Sequence, residues 1–314
     1  MKRILFISIA AIGLFSCGGN KEKDEDEVKV ELKSHKDSLS YVLGAMNART
    51  IVGTPDPNID RLDLEDVAIG FSMNLNNNKP VDCEATLTKL FGPNFQDFDS
   101  TYAKEGAECL GKLTGYAFYQ DLIKMDGLNQ VDLKIATVGF RHGLLKKDTI
   151  LADAQKQSLV QNFLKEMNEK NGLKMFAKAN KIKGAQVFEN GIVMETVLAG
   201  TGGSPSATDD VKVEYILTSA IGDTIQSSYA MKKQSGSKDA VALKLNGGVI
   251  PGWTYIVPKM KKGGKYRVYI PWDLAYGDQM GRESLCFLIE LVDYAKEGSF
   301  VKPQPPQMGV PQGN

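Results

Sequence analysis

The chain has little of what covalent or metal catalysis uses. It holds two histidines, His35 and His142, far apart in the sequence, and four cysteines with no C-x-x-C spacing. That pattern excludes the usual structural zinc sites and implies neither a metal nor a cofactor. No obvious catalytic grouping of His, Cys or Ser stands out. Formal net charge is zero, with 38 basic and 38 acidic residues. Phosphate binding needs a clustered excess of Lys and Arg, so nucleic acid is excluded as a main partner. The apolar run Ile4 to Phe15 is too short to cross a bilayer, which takes about 20 residues.

That run nevertheless carries information. It follows Met1-Lys2-Arg3, and a basic start with a short apolar core reads as a signal peptide. It ends Leu14-Phe15-Ser16-Cys17-Gly18, which resembles a bacterial lipobox. The plainer reading is an ordinary cleavage site beside a chance cysteine. On the lipobox reading, residues 1–17 are a leader and Cys17 becomes the lipidated N-terminus. Two or more acyl chains make such attachment stable, where one is marginal. Residues 18–34 then form a charged tether, since the run KEKDEDEVKVE at 21–31 cannot bury a core. The expected location is the bacterial cell envelope, lipid-anchored, on the periplasm-facing outer membrane or the cell surface.

Residues 35–190 are expected to form a helical domain. Two stretches within it resemble each other: LDLEDVAIGF from Leu62 and VDLKIATVGF from Val131. Asp63 matches Asp132, and Gly70-Phe71 matches Gly139-Phe140. A short carboxylate accepts from free first-turn N–H groups, so both aspartates are N-cap candidates. Another helical stretch precedes each copy, Leu39 to Met46 and Leu113 to Leu122. The match suggests a tandem two-helix unit, against chance similarity of two amphipathic helices. Cys83 and Cys109 lie between the copies, as a disulfide or as two separate buried thiols. A long helix is expected over about 152–182. Leu159, Phe163 and Met167, then Leu173, Phe176 and Ala179, make its packing stripe, with a bend at Asn171-Gly172.

From Gly191 the apolar period changes to two. Val193/Glu195/Val197, Val211/Val213/Tyr215, Tyr266/Val268/Ile270 and Leu285/Phe287/Ile289/Leu291 alternate as half-buried strands. Residues 191–295 are thus a compact antiparallel β domain, and the Pro/Gln-rich tail 296–314 is expected to be disordered. The fold class is α+β. Within the β domain, GGVIPGW (247–253) places a tryptophan directly after a Pro-Gly bend. The bend delivers the indole to a fixed place.

Five ordered stretches explain that placement: GTGGSPSATDDVKVEY (200–215), IGDTIQSS (221–228), GGVIPGW, GGKYRVYIPWDLAYG (263–277) and LCFLIELVD (285–293). Together they resemble the FKBP-type peptidyl-prolyl isomerase domain. The helices before them resemble the N-terminal dimerisation region of the macrophage infectivity potentiator-like subgroup. The resemblance implies a half-barrel sheet wrapped on a short helix, and catalysis of X–Pro bond rotation in exported polypeptide clients. It implies that Trp253 is the pocket floor and that Tyr215, Val249, Ile250, Tyr276 and Phe287 are walls. The Ile250 N–H and the Tyr276 hydroxyl match donors to substrate carbonyls.

Three positions depart from the family pattern. Ile225-Gln226 stands where Phe-Asp is expected, and the loop GDQMGRES after Tyr276 lacks apolar overhanging residues. Another expected phenylalanine falls on Leu243, with a one-residue ambiguity. These changes weaken the rim more than the floor and imply a wider site with reduced activity. The alternative reading is a non-catalytic chaperone or peptide-binding lipoprotein; a third is a surface lipoprotein whose helices bind a partner. Two helical units in one chain suggest a monomer completed by its own repeat, against a homodimer.

Overall fold

The computed structural model describes residues 30–53, 56–77, 79–93 and 96–301. Cys17, the leader, most of the tether and the tail from residue 302 lie outside them. The chain divides into two compact units after Val160. The sequence placed that division at Gly191, so from Gln161 onward the long helix belongs with the sheet.

In the first unit the helices are α1 (His35–Val52), α2 (Leu64–Asn74), α3 (Glu84–Phe91), α4 (Ala103–Lys124) and α5 (Leu133–Leu144). Ser34 and Asp37 close a capping box on α1. Asp63 caps α2 by accepting from Glu65 N at 2.8 Å, and Asp132 caps α5 by accepting from Lys134 N at 2.9 Å. A disulfide joins Cys83, at the start of α3, to Cys109 in α4, with the Cα atoms 5.7 Å apart.

Helix pairing crosses between the copies, since α1 packs on α5 and α2 on α4. Matching glycines make matching contacts. A Cβ on Gly70 would overlap the Glu108 carbonyl, and one on Gly139 the Tyr41 carbonyl. Gly44 stands against Ala136 O as Gly111 stands against Val67 O. The counterpart of the α1 segment from Tyr41 is therefore the α4 segment from Glu108, upstream of the expected Leu113–Leu122. The equivalent rings Phe71 and Phe140 stack on each other, centroids 3.8 Å apart and planes 8° from parallel. A local two-fold axis passes between them.

The long helix α6 (Asp153–Ala179) runs uninterrupted through Asn171-Gly172. Its buried face is Val160, Phe163, Met167, Asn171, Met175 and Ala179, and Leu173 is 74% exposed. Of the expected stripe Phe163, Met167 and Ala179 are buried, whereas Leu173 and Phe176 fall off the row Phe163, Met167, Asn171, Met175, Ala179 and are exposed or half-buried.

The second unit holds the strands β1 (Gln186–Val187), β2 (Val193–Leu198), β3 (Asp210–Ser219), β4 (Thr224–Ser227), β5 (Val241–Lys244), β6 (Lys265–Ile270) and β7 (Leu285–Ala295), with helices α7 (Ser228–Ser235) and α8 (Pro251–Ile256). The antiparallel sheet runs β1-β2-β6-β7-β3-β4, with β5 paired to the other end of β3. Val213 and Leu217 of β3, Val268 and Ile270 of β6, and Leu285, Phe287, Ile289 and Leu291 of β7 bury one face of the sheet. Trp253 and Ile256 of α8 fill that same core. Among the described residues no helix is long and apolar enough to cross a membrane.

Adding one methyl group where helices touch backbone to backbone forces them apart. Gly139→Ala is expected to lower unfolding stability by about 1–3 kcal/mol, read as a fall in the urea midpoint at unchanged slope. An unshifted midpoint would contradict the close approach of α5 to α1.

Candidate functional site

Pro251 opens α8 at a position where its missing N–H and fixed φ are tolerated. The turn it starts is closed by Trp253 N–H donating to Ile250 O at 2.9 Å. This seats the indole, 2% exposed, beneath two strand residues. Phe287 of β7 meets it edge-on at 5.2 Å and 79°, and Tyr215 of β3 at 5.8 Å and 86°. Tyr215 and Phe287 lie 6.5 Å apart. Such edge-to-face packing fixes all three rings.

Val249, Ile250 and Leu243 are half-buried against the same core. Leu243 pairs with Val211, a buried residue, so β5 turns Leu243 and Val241 inward. A one-residue shift would face it outward. The Ile250 N–H has no acceptor among the described residues, while its carbonyl binds Trp253 N and Thr254 N. Tyr276 is 41% exposed and lies beside Tyr215. Burial, and then the neighbouring Tyr276, push the Tyr215 hydroxyl above its ordinary range.

Ile225 and Gln226 stand apart from this cluster. Gln226 pairs with Leu217 across β3 and β4, which puts it on the inner face of the sheet. Its side chain is exposed and donates to Met231 Sδ at 3.6 Å. Ile225, 41% exposed, is the extra residue of a bulge. Met231 of α7 is thus a neighbour of the rim that sequence reasoning missed.

The loop after Tyr276 also differs from expectation. It is fastened by charge: Asp278 binds Lys165 Nζ at 2.8 Å and Arg282 Nε at 2.9 Å. Hydrogen bonds from Lys165 and Arg282 hold the Asp278 carboxyl below the usual carboxylate range. At the end of the loop Glu283 accepts from Ala220 N at 2.7 Å, and burial pushes its carboxyl up. The signal for this fastening was present in Lys165, Asn168 and Glu169, which share one face of α6. Among the described residues no group of His, Cys, Asp and Glu could hold a metal ion. The arrangement offers a dry aromatic floor with hydrogen-bond donors at its edge, suited to binding a small apolar ring next to a carbonyl.

A family model described as FKBP-type peptidyl-prolyl cis-trans isomerase matches residues 202–292. The peptidyl-prolyl cis-trans isomerase Mip of Coxiella burnetii is 30% identical over 210 residues, covering 60% of this chain and 85% of that protein. The isomerase FkpA of Escherichia coli is 34% identical over 152 residues, 47% of this chain. There the chain spans about half, 51%, of the relative's length. The outer membrane protein MIP of Legionella longbeachae is 28% identical over 203 residues, 58% of this chain and 84% of that protein.

Proposed function

The chain belongs to the FKBP-type peptidyl-prolyl cis-trans isomerase family, and from that premise we propose that it rotates X–Pro bonds of exported polypeptides in the pocket floored by Trp253. The observation that carries this reading is the fixed trio Tyr215, Trp253 and Phe287 beside the Ile250 N–H, which has no acceptor among the described residues.

The reaction twists a partial double bond against a barrier of about 18–20 kcal/mol. The twisted state has lost amide resonance. A pocket that strips water from the imide therefore favours it over the planar states. The indole face takes the proline ring. The Ile250 N–H and the Tyr276 hydroxyl serve as donors to substrate carbonyls. Val249 and Leu243 complete the apolar wall, and Ile225 and Gln226 meet the client more loosely at the rim. No bond is made or broken, so no cofactor or nucleophile takes part. Uncatalysed isomerisation takes tens of seconds or more, long enough to limit folding.

Cys17 anchors the protein to a membrane in this reading, with residues 18–34 as the tether. The name of the Legionella relative, outer membrane protein MIP, supports an envelope location. The local two-fold in the helical unit supports a monomer, because one chain supplies both copies of the helix pair.

Three measurements test these points. Protein lacking residues 1–17 accelerates a proline-limited refolding reaction, and Trp253→Ala abolishes the acceleration. Trp253→Leu accompanies it, because emptying so buried a site costs about 3–5 kcal/mol. A wild type without any acceleration would leave a binding protein instead. Sedimentation of the same protein gives the mass of one chain; twice that mass would overturn the monomer. Finally, Cys17→Ser in the full chain moves the protein from the membrane fraction to the soluble one, and unchanged fractionation would remove the anchor.

A further inference from the structure

The loop Gly277–Ser284 directly follows Tyr276, and its polar sequence is held by α6. Three side chains on one face of that helix reach it. Lys165 pairs with Asp278, Asn168 Nδ2 donates to Gly281 O at 2.9 Å, and Glu169 Oε1 accepts from Arg282 at 2.6 Å. One turn further, Gly172 leaves room for Ser284, whose hydroxyl a Cβ there would overlap. All of these contacts lie within the second unit. Helix α6 lies outside the stretch 202–292 matched by the family model, so residues beyond that stretch hold the loop.

Arg282 is the hub. Its backbone is left-handed, φ 59°, which is uncommon for a residue with a side chain. Such a conformation persists only where the surroundings over-determine it, and it clusters at functional sites. Here the guanidinium binds Glu169 and Asp278 and lies over the Trp272 ring, 5.0 Å from its centroid. Its backbone N–H donates to Gly277 O at 3.0 Å, which closes the loop on the residue next to Tyr276.

We propose that Arg282 is a positioning residue: clamped by Glu169 and Asp278, it fixes the loop so that the Tyr276 hydroxyl stands where a substrate carbonyl meets it. The clamp takes the place of the missing apolar overhang, and the proposal rests on the isomerase reading above. Isolated exposed ion pairs contribute little. This one is a network of four charges tied to a constrained backbone, so the expected effect is modest and measurable.

The test measures kcat/KM on proline tetrapeptides for the full chain, Arg282→Ala, Glu169→Gln, Tyr276→Phe and Arg282→Ala with Tyr276→Phe. Arg282→Ala and Glu169→Gln are expected to lower kcat/KM about threefold to fivefold. In the Tyr276→Phe background Arg282→Ala has no further effect, because it acts through the hydroxyl. Raising salt lowers the wild-type value toward that of Arg282→Ala and leaves the variant flat. Glu169→Gln removes the α6 charge that grips Arg282 without touching the loop backbone, and so decides the matter should Arg282→Ala fold poorly. Unchanged kcat/KM in both variants, or a full additive loss in the Tyr276→Phe background, overturns the proposal alone. An inactive wild type sinks the isomerase reading itself.

Discussion

The Trp253 indole, held edge-to-face by Phe287 and Tyr215, is core and, in the proposed reading, pocket floor at once. It shares one buried cluster with Ile256 and the inward strand residues of the sheet. Because protein interiors are close-packed, the ring cannot shift without moving the strands that hold it. The proposed binding surface therefore needs no mobile part for its floor. On the proposed reading chemistry and stability share residues: Trp253 and Phe287 are each among the buried core.

A second constraint ties the wall to the rim. Glu214, beside Tyr215 on β3, is 6% exposed, and a buried carboxylate requires partners. It accepts from Ser228 Oγ at 2.6 Å and pairs with Lys232 of α7. Ser228 Oγ in turn accepts the Tyr215 N–H at 2.9 Å. This chain of bonds fastens α7, and with it Met231 beside Gln226, to the strand that carries Tyr215.

Much of the sheet unit was legible in the sequence. Alternating Val211, Val213 and Tyr215 marks a face because period two admits only one inward set. A tryptophan after Pro-Gly implies a placed ring because the turn removes its freedom. The N-caps at Asp63 and Asp132 follow from carboxylate chemistry. The rest needed three dimensions. Leu173 and Met175 are equally apolar, and only packing decides which faces inward. Gly172 read as a weakness in α6, whereas it is clearance for Ser284. Cys83 and Cys109 could be joined only once α3 and α4 were placed side by side. The α1 and α4 sequences have diverged so far that their true register shows only in which carbonyl each glycine faces.

The stacked pair Phe71 and Phe140 marks an axis that no longer binds the two halves to be alike. On one side of it Arg141 grips Glu65 with two bonds of 2.7 and 2.8 Å. The equivalent positions on the other side are Ser72 and Lys134, which form no such bond and instead line a groove with Leu75, Asn76, Leu133 and Thr137. Had two identical chains met here, every substitution would have appeared twice across the axis, for good or ill. With both copies in one gene product, each position mutates singly. The helical core can thus keep a charged lock on one flank while the opposite flank is free to drift toward a different use.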